Sequence, residues 1–230
     1  MAKQSSVLSI SIGVGIATGL YGISFGALSV AAGLDIWQTQ VLSLLMFSGG
    51  SQFAFIGVIA AAGATGAGVG AAIVSAWLLG VRNGFYSIRM SPILKKTGLA
   101  KLLPAQITID ESVAVSIGQS TDDNQRKGFW YTGIAVFVFW NSMTLLGAIL
   151  GDALGDPKVY GLDAAAAAAF LGLIWPRLVE RQALAVAAAA LVIAVVTSPM
   201  LPPGIPVLIA GVAAVVVGAL NLFASKNGGK

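Results

Sequence analysis

The chain has no cysteine and no histidine, and only 10% of its 230 residues are charged. The first absence removes disulfide frameworks, thiol nucleophiles and iron–sulfur ligation. The second removes the Ser-His-Asp triad and conventional zinc-enzyme sites. An aspartyl intramembrane protease needs two facing aspartates, and Asp110, Asp152 and Asp163 stand far apart in the sequence. The scarcity of charge excludes an ordinary soluble domain, where about a quarter of residues would be charged. The net charge of +4 is no nucleic-acid footprint, because the basic residues sit at the ends of apolar runs. No enzyme chemistry, metal or cofactor is expected, and no nucleic-acid partner.

What remains is apolar: 57% of the residues, gathered in stretches without one charge from Gln4 to Leu34, Ile36 to Val81, Gly128 to Gly151 and Gln182 to Ser225. A membrane-spanning helix needs roughly 20 such residues. The chain therefore reads as an all-α, polytopic integral membrane protein forming a single transmembrane domain over 1–230, with the lipid bilayer as its surroundings. Helix one runs over 7–31 and ends before Gly33, Leu34 and Asp35. The next run is too long for one crossing, and its Ala/Gly-rich middle suits a hairpin, so helices two and three fall at 38–60 and 69–90. Further helices follow at 128–150, 161–178, 182–197 and 205–223, the last two parted by the Pro-rich stretch from Ser198 to Gly204. That makes about seven spans. The segment 102–118 is apolar but interrupted by Pro104, Asp110 and Glu111, and reads as re-entrant or interfacial.

Lysine and arginine set the orientation. With the N-terminus outside and the C-terminus in the cytoplasm, 11 of the 13 basic residues lie inside, leaving Lys3 and Lys158 outside. Trp37, Trp130 and Trp175 near helix ends fit an aromatic belt. A secretory signal does not fit, because the first apolar run is too long and no small-residue cleavage site precedes Asp35. Gly-Leu-Asp occurs at Gly33 to Asp35 and again at Gly161 to Asp163, each before a long apolar run. This suggests repeat halves at 7–101 and 126–198, offset by three crossings and hence inverted, with a last helix at 205–223. Chance similarity in a Gly- and Ala-rich chain is the competing explanation.

Polar groups within apolar runs are the candidate site, since they must be buried in protein or line a cavity. Ser48, Gly49, Gly50, Ser51 and Gln52 interrupt helix two. A helix restarting there would aim its amides at a carboxylate. Close packing explains the glycines equally well, but it leaves the amide of Gln52 unaccounted for. In helix three, Arg82 suits a bidentate carboxylate contact, with Asn83 and Tyr86 beside it; snorkelling to lipid phosphates is the alternative. Asn141 in helix four is a further candidate, or else a single interhelical bond. Without histidine, proton coupling would fall to Asp110 or Glu111, unless 102–118 is an amphipathic helix with solvated acids.

These motifs, together with Arg82 to Pro92, Asp110 to Ser112 and Gly161 to Asp163, occur in familiar order and spacing. The chain resembles the AzlC family, the large subunit of bacterial branched-chain amino acid exporters, over nearly its whole length. It differs at helix two, where the family commonly reads Gly-Ser-Ala-Gln-Phe and this chain has Gly50, Ser51, Gln52 and Phe53, and at Asn83, where the family often has histidine. The resemblance implies export of leucine, isoleucine, valine and often methionine across the bacterial inner membrane, as a proton-driven antiport. It also implies a small membrane subunit of the AzlD type. A passive pore or a non-transporting membrane subunit is the alternative that the residues leave open.

Overall fold

The computed structural model describes residues 6–63, 68–154, 171, 174–175, 178–202, 205–220 and 222. Among these there are helices and no strands. In chain order they are α1 (Val7–Ala31), α2 (Ile36–Leu45), α3 (Gly49–Ala62), α4 (Val69–Leu94), α5 (Leu102–Gln106), α6 (Asp110–Ile117), α7 (Asp122–Leu154), α8 (Arg181–Thr197) and α9 (Ile205–Ala219). A short 3-10 turn at Gly98–Lys101 leads into α5. At 1.5 Å per residue α1, α4 and α7 each exceed the roughly 30 Å of a bilayer core, whereas α2, α5 and α6 reach at most about half of it.

The helix α1 is built inside out relative to a soluble helix. Its buried face carries Ser11, Gly15, Gly19, Gly22, Gly26 and Ser29, while Leu8, Ile12, Ile16 and Leu20 point outward. In hydrocarbon large apolar residues gain nothing by leaving lipid, and small ones let backbones approach. The partner is α7, and the approach is close. A Cβ on Gly19 would stand 2.5 Å from that of Phe139, and one on Gly22 would stand 2.6 Å from the Trp140 carbonyl oxygen. A Cβ on Gly26 would strike the Thr144 carbonyl, and one on Gly147 that of Ile23. Lower down, the hydroxyls of Ser11 and Thr132 share a hydrogen bond of 2.8 Å. Ser11 pairs with Thr132, Gly15 meets Ala135 and Ala27 meets Gly151, so the two helices run parallel.

Against this pair the chain between them can be followed by level. Gly33 takes a positive φ of 100°, which favours glycine, and Asp35 caps α2 through the Gln38 amide. Thr39 bonds Ser29 at the top of α1, and Phe47 packs on Phe137 well below. The chain then reverses. Gly49 lies against Trp140, and Phe53 meets Phe25 and Trp140, so α3 climbs back toward the end α2 came from. The helix α4 descends antiparallel to α3, from Gly68 beside Ala62 to Ile93, whose carbonyl accepts from Arg126 Nε at 2.8 Å. The second reversal enters from the other end. The helix α5 runs inward beside α4, Ile107 reaches Gly133, and α6 returns outward until Ser116 Oγ donates to the Gln125 carbonyl. Two hairpins broken at 46–48 and 107–109 thus enter from opposite ends.

Several expectations change. The second expected span, 38–60, does not cross; it folds back, because the break at Ser48 is a reversal and not a kink. The segment 102–118 does dip inward, as a hairpin. Placing the N-terminus outside required helices one and four to run antiparallel, but they are parallel, and the start of α1 shares the end that carries Lys95, Lys96, Lys101, Arg126 and Lys127. Repetition is visible between α1–α2–α3 and α4–α5–α6: a long helix, then a broken hairpin, with Ser48 matched by Thr108 and Gln52 by Ser112. These two sets of helices run in opposite directions; the second of the expected halves, 126–198, lies in part outside the described residues. The expected helix at 161–178 and the motif Gly161 to Asp163 lie largely outside the described residues. The expected helices at 182–197 and 205–223 appear as α8 and α9, with α9 packed on α8 and α4.

The chain offers its own cysteine-free background for a labelling test. Ser6→Cys and Lys96→Cys should react with an impermeant maleimide from one membrane face, and Trp37→Cys and Gly70→Cys from the other. Labelling of positions 6 and 96 from opposite faces would contradict the parallel arrangement of α1 and α7.

Candidate functional site

A helix that stops at half depth leaves its last carbonyls without intrahelical donors, and hydrocarbon supplies none. The end of α2 is served by two glutamines. Gln52 Nε2 donates to the carbonyls of Met46 at 2.8 Å and Ser43 at 3.3 Å. Gln106 Nε2 donates to those of Leu44 at 2.8 Å and Leu45 at 3.3 Å. Gln52 is wholly buried, and its Oε1 accepts from Trp140 Nε1 at 2.9 Å. Its amide is therefore spent on the break itself. Gln106 comes from the opposing hairpin, so the two tips are hydrogen-bonded to each other.

The second break is capped from within. Ser112 Oγ donates toward the Ile107 and Ile109 carbonyls at 2.8 and 3.1 Å and accepts from Ile109 N. Thr108 Oγ1 donates to Pro104 at 2.7 Å. At the start of α6 stand Asp110 and Glu111, whose charges oppose the positive end of that helix. The start of α3 is different. It has no acid in its first turn and no side-chain cap, so the amides of Gly49, Gly50 and Ser51 face the tip without a helical acceptor.

Arg82 bridges the two. One terminal nitrogen lies 2.9 Å from Asp110 Oδ2. The same nitrogen would stand 3.0 Å from a Cβ on Gly50, with Leu79 Cδ2 at 3.5 Å. A side chain at position 50 would press on the guanidinium, which gives that glycine a reason beyond helix packing. Arg82 Nε, Asp110 Oδ1, Ser48 Oγ and Ser51 Oγ, and Asn83 Oδ1 on the same helix as Arg82, are shielded and have no hydrogen-bond partner among the described residues. Ser48 and Ser51 are 6% and 1% exposed, whereas the Arg82 and Asp110 side chains keep 34% and 33%. A cavity of about 170 Å³ between α4 and α5 has Lys96 and Lys101 among its lining residues and extends to Thr108 at the tip.

Most of the residues singled out from the sequence gather here. Ser48, Gly49, Gly50, Ser51, Arg82 and Asp110 share the junction, and Asn83 follows Arg82 on α4. Glu111 is next to Asp110 on α6 and has no salt-bridge partner among the described residues. Tyr86, one turn beyond Arg82, instead packs on Met90, Ile107, Val113 and Phe129. Asn141 donates within its own helix to the Phe137 carbonyl and leaves Oδ1 without a partner among the described residues. Sequence reasoning noted Ser112 only as part of a motif, and it missed Gln106 and Trp140. The last had a signal: an indole N–H in mid-span, away from the membrane surface, needs a buried acceptor.

Long helices with small residues turned inward and lipid-compatible side chains turned outward, around a polar centre made by two broken hairpins, define an all-helical membrane protein. The family described as AzlC protein matches residues 13–154, more than half of the chain, and the chain belongs to the AzlC family. That family is associated with branched-chain amino acid transport. The match covers most of α1 and all of α2 to α7, the elements that build the junction. No curated protein and no solved structure matches the chain.

Gln52→Ala should destabilise the fold, because it removes the side-chain donor to the Ser43 carbonyl and the acceptor of the Trp140 indole together, and leaves the Met46 carbonyl with the Ser48 amide alone. Each buried group left unmade costs about 1–3 kcal/mol, so thermal unfolding in detergent should shift clearly downward. An unshifted midpoint would mean that the clasp is not needed.

Proposed function

We propose that this chain is the large subunit of a proton-coupled secondary transporter that exports leucine, isoleucine and valine, with methionine as a further substrate, across the bacterial inner membrane. The observation that carries this reading is the meeting of two opposed hairpins at Arg82 and Asp110. Discontinuous helices with their ends at mid-depth supply backbone groups to a solute without exposing them to lipid. The bare start of α3 and the Arg82 guanidinium suit a substrate carboxylate. Leu79 and the Phe47–Phe137 ring pair offer apolar wall for an aliphatic side chain.

Proton coupling falls to Glu111 in this reading, because Asp110 faces Arg82 whereas Glu111 has no salt-bridge partner among the described residues. By the positive-inside rule the basic end faces the cytoplasm, which puts the start of α1 there as well. A small AzlD-type subunit completes the transporter, a proposal that rests on the family alone.

The test is efflux of labelled leucine from proteoliposomes, with and without the small subunit. An imposed proton gradient should accelerate a saturable efflux. Glu111→Gln should lose that acceleration and keep gradient-free exchange. Non-saturating flux indifferent to the gradient would indicate a passive pore, and no flux under any condition a non-transporting subunit.

A further inference from the structure

An ion pair at the point where two hairpins meet can be structural, or it can be a closed form of a binding site. Three observations favour the second. Arg82 and Asp110 touch through one oxygen only, and both Arg82 Nε and Asp110 Oδ1 are left without a partner among the described residues. Both side chains remain about one-third exposed, so the pair can open without a buried charge being stranded. The surroundings are also unequal: the α3 side has no acid in its first turn and no side-chain cap, with the hydroxyls of Ser48 and Ser51 buried and unpartnered among the described residues, whereas the α6 side presents a carboxylate.

We propose that the Arg82–Asp110 pair is opened by a zwitterion, with the substrate carboxylate taking Arg82 and the free amides at the start of α3, and the substrate ammonium taking Asp110. The inference rests on the transport reading and goes further, by naming Asp110 as the residue that selects for an α-amino group. An α-amino acid carries its two charges on adjacent carbons, the separation needed to sit between a guanidinium and a carboxylate drawn slightly apart. One internal ion pair is then exchanged for two to the ligand, and the charge of the site is unchanged. A carboxylate without the ammonium cannot do this. It would take Arg82 and leave Asp110 facing a second anion. An amine without the carboxylate would leave Arg82 and the α3 amides unmet. Gly50 is part of the arrangement, since a Cβ there would occupy the space beside the Arg82 nitrogen into which the carboxylate must come.

The test compares binding of L-leucine, 4-methyl-2-oxopentanoate (a ketone in place of the ammonium) and 3-methylbutylamine to the full chain in nanodiscs. Wild type should bind the keto acid and the amine about tenfold or more weakly than leucine, the order expected for one lost charged hydrogen bond. Asp110→Asn should weaken leucine and not the keto acid, so that the preference collapses, and Arg82→Gln should weaken both. Equal affinity of wild type for leucine and its keto acid would overturn the proposal whatever the variants do. So would an Asp110→Asn protein that keeps the full preference. If leucine is carried in proteoliposomes while the preference does not depend on Asp110, this inference fails and the transport reading stands. If no amino acid binds or is carried, both fail.

Discussion

The whole architecture depends on a shortage of hydrogen-bond donors. A helix ending at mid-depth presents carbonyls to a medium that cannot hydrate them, and the protein must meet that demand from its own side chains. Gln52 and Gln106 do so for four consecutive carbonyls, those of Ser43 to Met46. Because Gln106 belongs to the other hairpin, satisfying the first break fixes where the second one stands. The position of Arg82 relative to Asp110 follows from this register, as does the nearness of both to the start of α3. The polar centre is in this sense a by-product of making broken helices tolerable in lipid.

The two halves solve the same problem with different chemistry. Where α1–α2–α3 uses glycines and leaves its inward helix start bare, α4–α5–α6 places Asp110 and Glu111 on the corresponding start. The two inward helix starts therefore differ in charge: bare on the α3 side, with carboxylates on the α6 side. In the proposed reading, a solute with a head and a tail of opposite charge meets such a site in one orientation.

Much of this was legible in the residues. Charge-free runs located α1, α4 and α7 to within a few residues, and the cluster from Ser48 to Gln52 marked the first break as polar and glycine-rich. Arg82 and Asp110 were singled out because charge inside an apolar run has to be accounted for. What could not be read was the path of the chain through the break. A helix that kinks and a helix that turns back carry the same glycines and the same apolar flanks, and only the pairing of Gln52 with Ser43 and of Phe47 with Phe137 distinguishes them. That one choice reverses the sense of every later helix relative to α1. The positive-inside count, sound in its arithmetic, was therefore applied to the wrong number of crossings. The role of Gln52 was hidden for a related reason: a polar amide in hydrocarbon signals a demand for partners, not whether a ligand or the protein's own backbone meets it.

The contact between α1 and α7 has a mechanical meaning. Where most helix pairs are cushioned by side chains that can change rotamer, these two touch backbone to backbone at Gly22, Gly26 and Gly147. At those three glycines the joint has no soft layer, so rotamer changes cannot absorb a shift of one helix against the other there. The two helices running the same way form a stiff beam in that stretch, whereas the contacts between the hairpins and α4 include long and rotatable glutamine and arginine side chains.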